Sequence, residues 1–173
     1  DEFGNEISEE DMLDGDILWI SYFDEESEFS GEEKQSIEKT KIIDEDGNYG
    51  YQTFTINYDY TYDENGFKVE TITETMGKET IVSVNKYDDM DNLIYEDDGQ
   101  GNITTVVYDF MGREIQTLRN EKGTVFTSYK RYDKNGTLEW EQNIDGIQTY
   151  YKYDARNRLV EQKTVGGDEI RTY

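Results

Sequence analysis

The sequence predicts an all-β fold, a repetitive antiparallel β-hairpin meander that forms a twisted strip or an open spiral sheet. Three observations support this fold class. A Tyr-Asp pair returns every 21 to 25 residues from residue 62 onward, a turn-forming residue stands three positions after each Asp, and the segments between turns are rich in Thr, Val, Ile and Tyr. A regular period of this length is typical of proteins in which each repeat is one supersecondary unit.

The repeats align on the Asp of the Tyr-Asp pair. Five copies are plain: Asp63, Asp88, Asp109, Asp133 and Asp154. Weaker copies stand upstream, without the Tyr, at Asp1, Asp24 and Asp44. The sequence therefore predicts a single array over residues 1–173, with about eight units, irregular in 1–62 and regular in 63–173.

The third residue after each Asp predicts a turn. In the plain copies it is Gly66, Asp91, Gly112, Gly136 or Asn157. Gly, Asn and Asp adopt positive φ most readily, so a left-handed backbone is expected at this position. The Asp side chain is expected to accept a hydrogen bond from a backbone N–H two residues on. The structural turn residues predicted in this way are Asp63, Gly66, Asp109, Gly112, Asp133, Gly136, Asp154 and Asn157.

A second turn and two strands complete each predicted unit. The second turns are Asp14-Gly15, Met76-Gly77, Asp98 to Gly101, Lys122-Gly123, Asp145-Gly146 and Gly166-Gly167. The strand "FTINYDYTY" alternates with period two, which places Phe54, Ile56, Tyr58, Tyr60 and Tyr62 on one face. Two strands per repeat predict about 14 to 16 strands.

Residues 24–62 fit the repeat less well, because the second turn there is irregular: the candidates are "SGEEK" (30–34) and then Gly50. Two candidate capping boxes, Ser8 with Asp11 and Ser30 with Glu33, leave short helices as an alternative. The repeat register favours strands.

Composition argues against several classes of function. The net charge of -24 repels nucleic-acid phosphates and anionic membranes, and without a long apolar run no membrane insertion is predicted. His and Cys are absent, which removes Ser-His and Cys-His nucleophile pairs and His-ligated zinc. We therefore predict no enzyme activity, no catalytic residue, no metal site and no cofactor.

The segments "YDENGF", "YDFMGRE", "YDKNGTL" and "YDARNRL" resemble YD repeats, also called RHS repeats, whose pattern is roughly Tyr-Asp-x-x-Gly-Arg/Asn-Leu. The resemblance covers residues 44–173 well and 1–43 loosely. Asp91 and Asn157 replace the Gly, and Lys68 and Glu114 stand where Leu is usual. The resemblance implies a twisted β-strip, which in large bacterial toxins and in teneurins winds into a shell around another domain, and it implies no shared catalytic residues.

From this resemblance we expect a non-catalytic structural repeat segment, a scaffold or shell, of a bacterial cell-surface or secreted toxin-like protein. The expected location is extracellular or on the bacterial cell surface. The expected partners are further repeats of the same array or another protein domain.

A carbohydrate-binding module is the alternative, because amphipathic rings on a rigid sheet suit saccharides. Its speculative ligand-binding residues are Trp19, Trp140, Tyr150 and Tyr151. The same rings also suit the apolar face of the sheet itself, since cross-strand aromatic pairs stabilise sheets, and this interpretation is favoured.

Acidic clusters at 24–28, 44–48, 87–92 and 96–102 raise the question of calcium, a cation that takes several oxygen ligands. None has the full alternating ligand loop with a distal Glu, and with 41 acidic residues such clusters arise freely. Solvated turns are therefore favoured over calcium sites. For the same reason, a glycoside hydrolase built on paired carboxylates is set aside.

Overall fold

The computed structural model describes residues 17–23, 28–43, 46–166 and 171–172, with the backbone alone at 17–18 and 171–172. Throughout these residues the regular structure is antiparallel β-strand, and they contain no helix. The predicted all-β hairpin meander is therefore confirmed.

The chain divides into two compact units, Asp1–Val84 and Asn85–Tyr173, and the division falls within the fifth strand. The first unit contains β1 (Ile17–Phe23), β2 (Glu33–Ile43), β3 (Tyr49–Tyr62), β4 (Lys68–Met76) and most of β5 (Glu79–Tyr87). The second contains the end of β5, then β6 (Leu93–Asp97), β7 (Asn102–Tyr108), β8 (Glu114–Glu121), β9 (Thr124–Tyr132), β10 (Leu138–Gln142), β11 (Gln148–Tyr153), β12 (Leu159–Val165) and β13 (Arg171–Thr172). In each unit, strands that are neighbours in the sheet are consecutive in the chain. Among the described pairings, none joins the first strand of a unit to the last strand of that unit.

The longest strand, β3, fixes the register of the first unit. It pairs with β2 along residues 49–57 and with β4 along residues 54–62. Phe54 lies between Glu38 and Met76, and Tyr60 lies opposite Glu70. Because side chains alternate along a strand, the even-numbered residues 54–62 share one face, in agreement with the period-two pattern.

The described residues form no closed hydrophobic core, since none of their large side chains is fully buried. The buried polar side chains are the small Ser36 and Thr149. Large rings stay accessible, as at Tyr62, which is 52% exposed. Stability therefore rests on the hydrogen bonds between strands and on cross-strand side-chain pairs.

Three expectations for the first part of the chain are corrected. The helix alternative at Ser30–Glu33 is wrong, because residues 28–32 form a turn and Glu33 begins β2. Gly50 lies inside β3 rather than in a turn. Between residues 24 and 62 the described residues contain two strands, β2 and β3, rather than two for each repeat, because these strands are 11 and 14 residues long. The described residues contain thirteen strands in all, and the prediction of 14 to 16 also counted residues that lie outside them. The expectations at Asp1, Ser8, Asp14-Gly15, Asp24, Asp44 and Gly167 lie outside the described residues.

The β8–β9 hairpin provides a stability prediction. Its two-residue loop, Lys122-Gly123, has φ angles of 49° and 93°, the pattern of a type I′ turn, which favours Asn-Gly. We expect Lys122→Asn to raise the free energy of unfolding by about 0.5 to 1 kcal/mol, because Asn tolerates the left-handed region that costs most residues about 1 kcal/mol or more. Chemical denaturation measures the gain.

Lys134→Asn is the matched control, because it removes the same charge from an exposed turn residue outside the left-handed region. It should leave stability within about 0.5 kcal/mol of the wild type. An equal gain in both variants would show that the removed charge, and not the backbone conformation, is responsible.

Candidate functional site

Asp133 shows the geometry of the repeated turn. Its Oδ1 accepts hydrogen bonds from the backbone N–H groups of Asn135 (2.8 Å) and Thr137 (2.9 Å). Its own N–H donates to the carbonyl of Thr137 (2.8 Å), and the N–H of Gly136 donates to the carbonyl of Asp133 (3.0 Å). One carboxylate thus closes a five-residue turn from inside. Gly136 completes the turn with a φ of 87°.

The same geometry recurs at the other four plain Tyr-Asp pairs. In each, the Asp Oδ1 accepts from the N–H groups two and four residues on, at 2.9–3.2 Å. All five third positions have positive φ: 84° at Gly66, 58° at Asp91, 73° at Gly112, 87° at Gly136 and 60° at Asn157. The recurrence of Asp with Gly, Asp or Asn three positions later is thus a requirement of backbone geometry.

Two of the predicted second turns, Asp98 to Gly101 and the turn at Asp145-Gly146, have this geometry without a preceding Tyr-Asp pair; the sequence predicted these turns but not that the side chain of Asp98 or Asn143 closes them. At Asn143 the side-chain oxygen accepts from the N–H groups of residues 145 and 147 (3.0 and 2.9 Å). At Asp98 it accepts from those of residues 100 and 102 (2.7 and 3.0 Å). Gly146 and Gly101, three positions on, have positive φ. An Asn or Asp three residues before a Gly is the sequence signal that identifies them.

In four of these turns, at Asp88, Asp98, Asp109 and Asp154, the side chain four positions after the Asp donates to its second carboxylate oxygen. Arg113 donates from Nε and Nη2 to Oδ2 of Asp109 (2.8 and 2.6 Å), and Arg158 donates from Nε to Oδ2 of Asp154 (2.7 Å). Hydrogen bonds from these arginine side chains lower the pKa of both carboxyls below the ordinary value. The sequence reasoning gave this position no role.

Four turns of the second unit touch in succession, and we call residues 88–92, 109–113, 133–137 and 154–158 the turn ladder. The side-chain oxygen of Asn92 lies 3.6 Å from the point where a Cβ of Gly112 would stand. Nη1 of Arg113 lies 3.3 Å from the corresponding point at Gly136. The hydroxyl of Thr137 donates to the side-chain oxygen of the next turn's fourth residue (2.8 Å). The fifth residue of each turn therefore packs against the fourth residue of the next.

The Tyr of the Tyr-Asp pair also links neighbouring repeats. The guanidinium of Arg113 lies 4.5 Å from the ring centroid of Tyr132, one repeat further on. Nη1 of this guanidinium is buried and has no hydrogen-bond partner among the described residues, and the ring face supplies a cation–π contact. Tyr108 donates its hydroxyl hydrogen to the carbonyl of Leu93 (3.0 Å). These tyrosines therefore hold adjacent hairpins together.

Within the second unit, the structure brings together two of the three rings predicted there as ligand-binding. Trp140 and Tyr150 lie directly opposite each other on β10 and β11. Tyr151 lies on the other face, where it donates to Glu141, and burial together with this bond raises its pKa to about 12. The fourth ring, Trp19, is 60% exposed on β1 of the first unit.

The acidic clusters at 24–28 and 44–48 lie partly outside the described residues, and the cluster at 96–102 contains the Asp98 turn. Across the residues that the structure describes, no group of three or more His, Cys, Asp or Glu side chains is arranged to hold a metal ion. Within the same residues, no helix is long and apolar enough to cross a membrane.

Comparison of the fold with solved structures gives a chain described as "Crystal Structure of TcdB2-TccC3-TEV", with a TM-score of 0.51 and 14% identity, covering 91% of this chain and 10% of that chain. A second, "Crystal Structure of TcdB2-TccC3-Cdc42", has a TM-score of 0.45 and 14% identity, with 87% and 9% covered. The protein thus spans about a tenth of the first solved chain, with which it shares the fold. No protein-family model and no curated protein matches the sequence.

Proposed function

We propose that the protein is a non-catalytic structural segment of a YD-repeat array, acting as scaffold or shell in a secreted or cell-surface, toxin-like bacterial protein. The turn ladder is the observation that carries this proposal. In these turns the Asp and the left-handed residue close the turn, and Asn92, Arg113 and Thr137 reach the next turn. The tyrosines before two of the turns, Tyr108 and Tyr132, contact the adjacent hairpin. The residues that define the repeat are thus used to stack repeats.

As a scaffold, the protein would act through its shape and not through a chemical reaction. Each hairpin is held by its neighbours in the chain, so stability accumulates along the array as nearest-neighbour terms. The rigid turns fix the spacing of successive hairpins, and the accessible sheet faces are left for another domain or for further repeats to cover. No step of this mechanism needs a nucleophile, a proton shuttle or a cofactor.

The solved chain of similar fold belongs to a toxin complex, which favours a secreted, toxin-associated setting for this protein too. The proposed partners remain the adjoining repeats of the array or a domain enclosed by it.

Duplication of one repeat tests the proposal. We expect a second copy of residues 133–153, inserted after Tyr153, to fold as an additional hairpin unit without lowering the free energy of unfolding. The denaturant m-value should rise by roughly a tenth, in proportion to the added surface. Urea unfolding followed by circular dichroism measures both quantities.

The matched control inserts the same 21 residues with Asp133→Ala and Gly136→Val in the inserted copy. This insert keeps the strand pattern but lacks the turn, so the chain should lose stability. If the native duplicate also unfolds or aggregates, the chain is a closed domain and not a segment of an array.

A further inference from the structure

One face of the first unit combines aromatic rings with carboxylates. We call it the tyrosine face, and strand register places on it Phe54, Ile56, Tyr58, Tyr60 and Tyr62 of β3, Ser36 and Glu38 of β2, and Lys68, Glu70, Ile72, Glu74 and Met76 of β4. Tyr62 is 52% exposed and Met76 is 46% exposed. The ring of Phe29 packs against those of Tyr60 and Tyr62, with centroids 5.6 and 5.2 Å apart. The face is therefore exposed at Tyr62 and Met76, while Ser36 on β2 is buried.

Charges are separated between the two faces of β2–β4. Glu38, Glu70 and Glu74 lie on the tyrosine face. The opposite face of these strands carries Lys39, Lys41 and Asp59. Acid is thus concentrated on the side that carries the tyrosines, while the other side has an excess of lysine.

Register places two carboxylates beside Tyr58, because Glu70 and Glu74 stand two residues on either side of its partner Ile72 on β4. Burial, and then the charges of Glu33, Glu70 and Glu74, raise the pKa of Tyr58. Lys68 of the same face forms an ion pair with Glu32 (3.1 Å). Glu38, Glu70 and Glu74 against Lys68 leave the tyrosine face with a net negative charge.

The described residues of the first unit are also acidic. They hold 11 Asp and Glu against five Lys, because 13 of the 24 Asp and Glu in residues 1–84 lie outside the described ranges. An acidic surface favours a partner of opposite charge. Nucleic acid, an anionic membrane and a second copy of this chain all have the wrong sign.

We propose that the tyrosine face docks an extended Lys- or Arg-rich polypeptide segment, with its cations at alternate residues. Glu70 and Glu74 stand four residues apart on one strand, roughly 13 Å, which is the spacing of residues i and i+4 of an extended segment laid alongside. Cations at these positions contact carboxylates and tyrosine ring faces together. The proposal rests on the scaffold function only in that a scaffold leaves this face open for a partner.

A fluorescein-labelled ten-residue peptide of alternating Lys and Thr is the probe, and fluorescence anisotropy measures its binding to the full chain. We expect saturable binding that weakens with salt, and none for the matching Glu-Thr peptide. Glu38→Gln, Glu70→Gln and Glu74→Gln together should weaken binding about tenfold, since each exposed ion pair contributes about 0.5 kcal/mol.

The control variant combines Asp59→Asn, Glu64→Gln and Glu79→Gln, which removes the same charge from the first unit at exposed residues outside the tyrosine-face cluster. It should weaken binding by less than about threefold. Equal losses in the two variants, or no binding at low salt, would overturn the proposal. Circular dichroism establishes that both variants fold. Because the repeat duplication measures folding and the peptide measures this face, either proposal can fail without the other.

Discussion

Gly136→Val should destabilise the protein by about 2 kcal/mol or more, because two effects act at one position. The φ of 87° lies in the left-handed region, which costs an L-residue about 1 to 2 kcal/mol. A Cβ would also stand 3.3 Å from Nη1 of Arg113, so the guanidinium must shift from its place on the ring of Tyr132. Urea denaturation of the variant measures the loss.

Gly146→Val is the matched control for this experiment. Gly146 occupies the same position in the Asn143 turn of the same unit, with a φ of 77°, and nothing lies within 4 Å of its added Cβ. It should show the backbone penalty alone, so the difference between the variants measures the contact between successive turns. Equal losses would mean that the turn ladder contributes no packing energy, and no loss in either would contradict the turn assignment.

Acid should destabilise the second unit steeply below about pH 4. Hydrogen bonds lower the pKa of Asp98 and Asp133, with the backbone N–H four residues on as the largest cause. At Asp88, burial opposes the shift, but hydrogen bonds from Asn92 and Met90 outweigh it. A carboxyl whose pKa is lower in the folded state stabilises the fold fully above its unfolded pKa, near 3.8, and this stabilisation is lost as pH falls through the lowered value.

Thermal melts between pH 7 and pH 2 measure this effect in the wild type and in a variant with Asp88→Asn, Asp98→Asn and Asp133→Asn. Asn143 makes the same turn with a side chain that does not titrate, so the variant should fold and its melting temperature should fall less in acid. Acid also protonates the other carboxylates and so reduces the repulsion among them. This effect is the same in both proteins, so it cancels when their melting temperatures are compared. If the melting temperatures of the wild type and the variant fall equally as the pH is lowered, these turns do not control the response to acid.

The Tyr-Asp repeat predicts much of the fold because backbone geometry makes it necessary. Asp133 and Gly136 are required by one turn, so their spacing identifies the turn and, through it, the strands on either side. The strand lengths of β2 and β3 could not be predicted in this way, because the Asp44 copy has no Tyr and the strands there are defined by pairing between distant residues rather than by a local signal.

The contacts between turns were not predictable from a repeat pattern alone. Arg113 stands next to its own Gly112 in sequence, yet its guanidinium reaches Tyr132 and Gly136 of the following repeat. That contact depends on the distance between adjacent hairpins, which only the register determines. The predicted platform of aromatic rings likewise depends on which face of its strand each ring occupies. Tyr150 and Tyr151 are consecutive residues of β11, so they lie on opposite faces.

Pairing between strands that follow each other in the chain has a kinetic consequence. In each unit a strand is hydrogen-bonded to its chain neighbours, and partners such as Trp140 and Tyr150 are ten residues apart. This is a low contact order for a β-protein, so little loop-closure entropy opposes each step of folding. A single hairpin forms in about 1 to 10 microseconds. The chain can therefore fold in the order in which it leaves a ribosome or a narrow pore, with each hairpin serving as the template for the next.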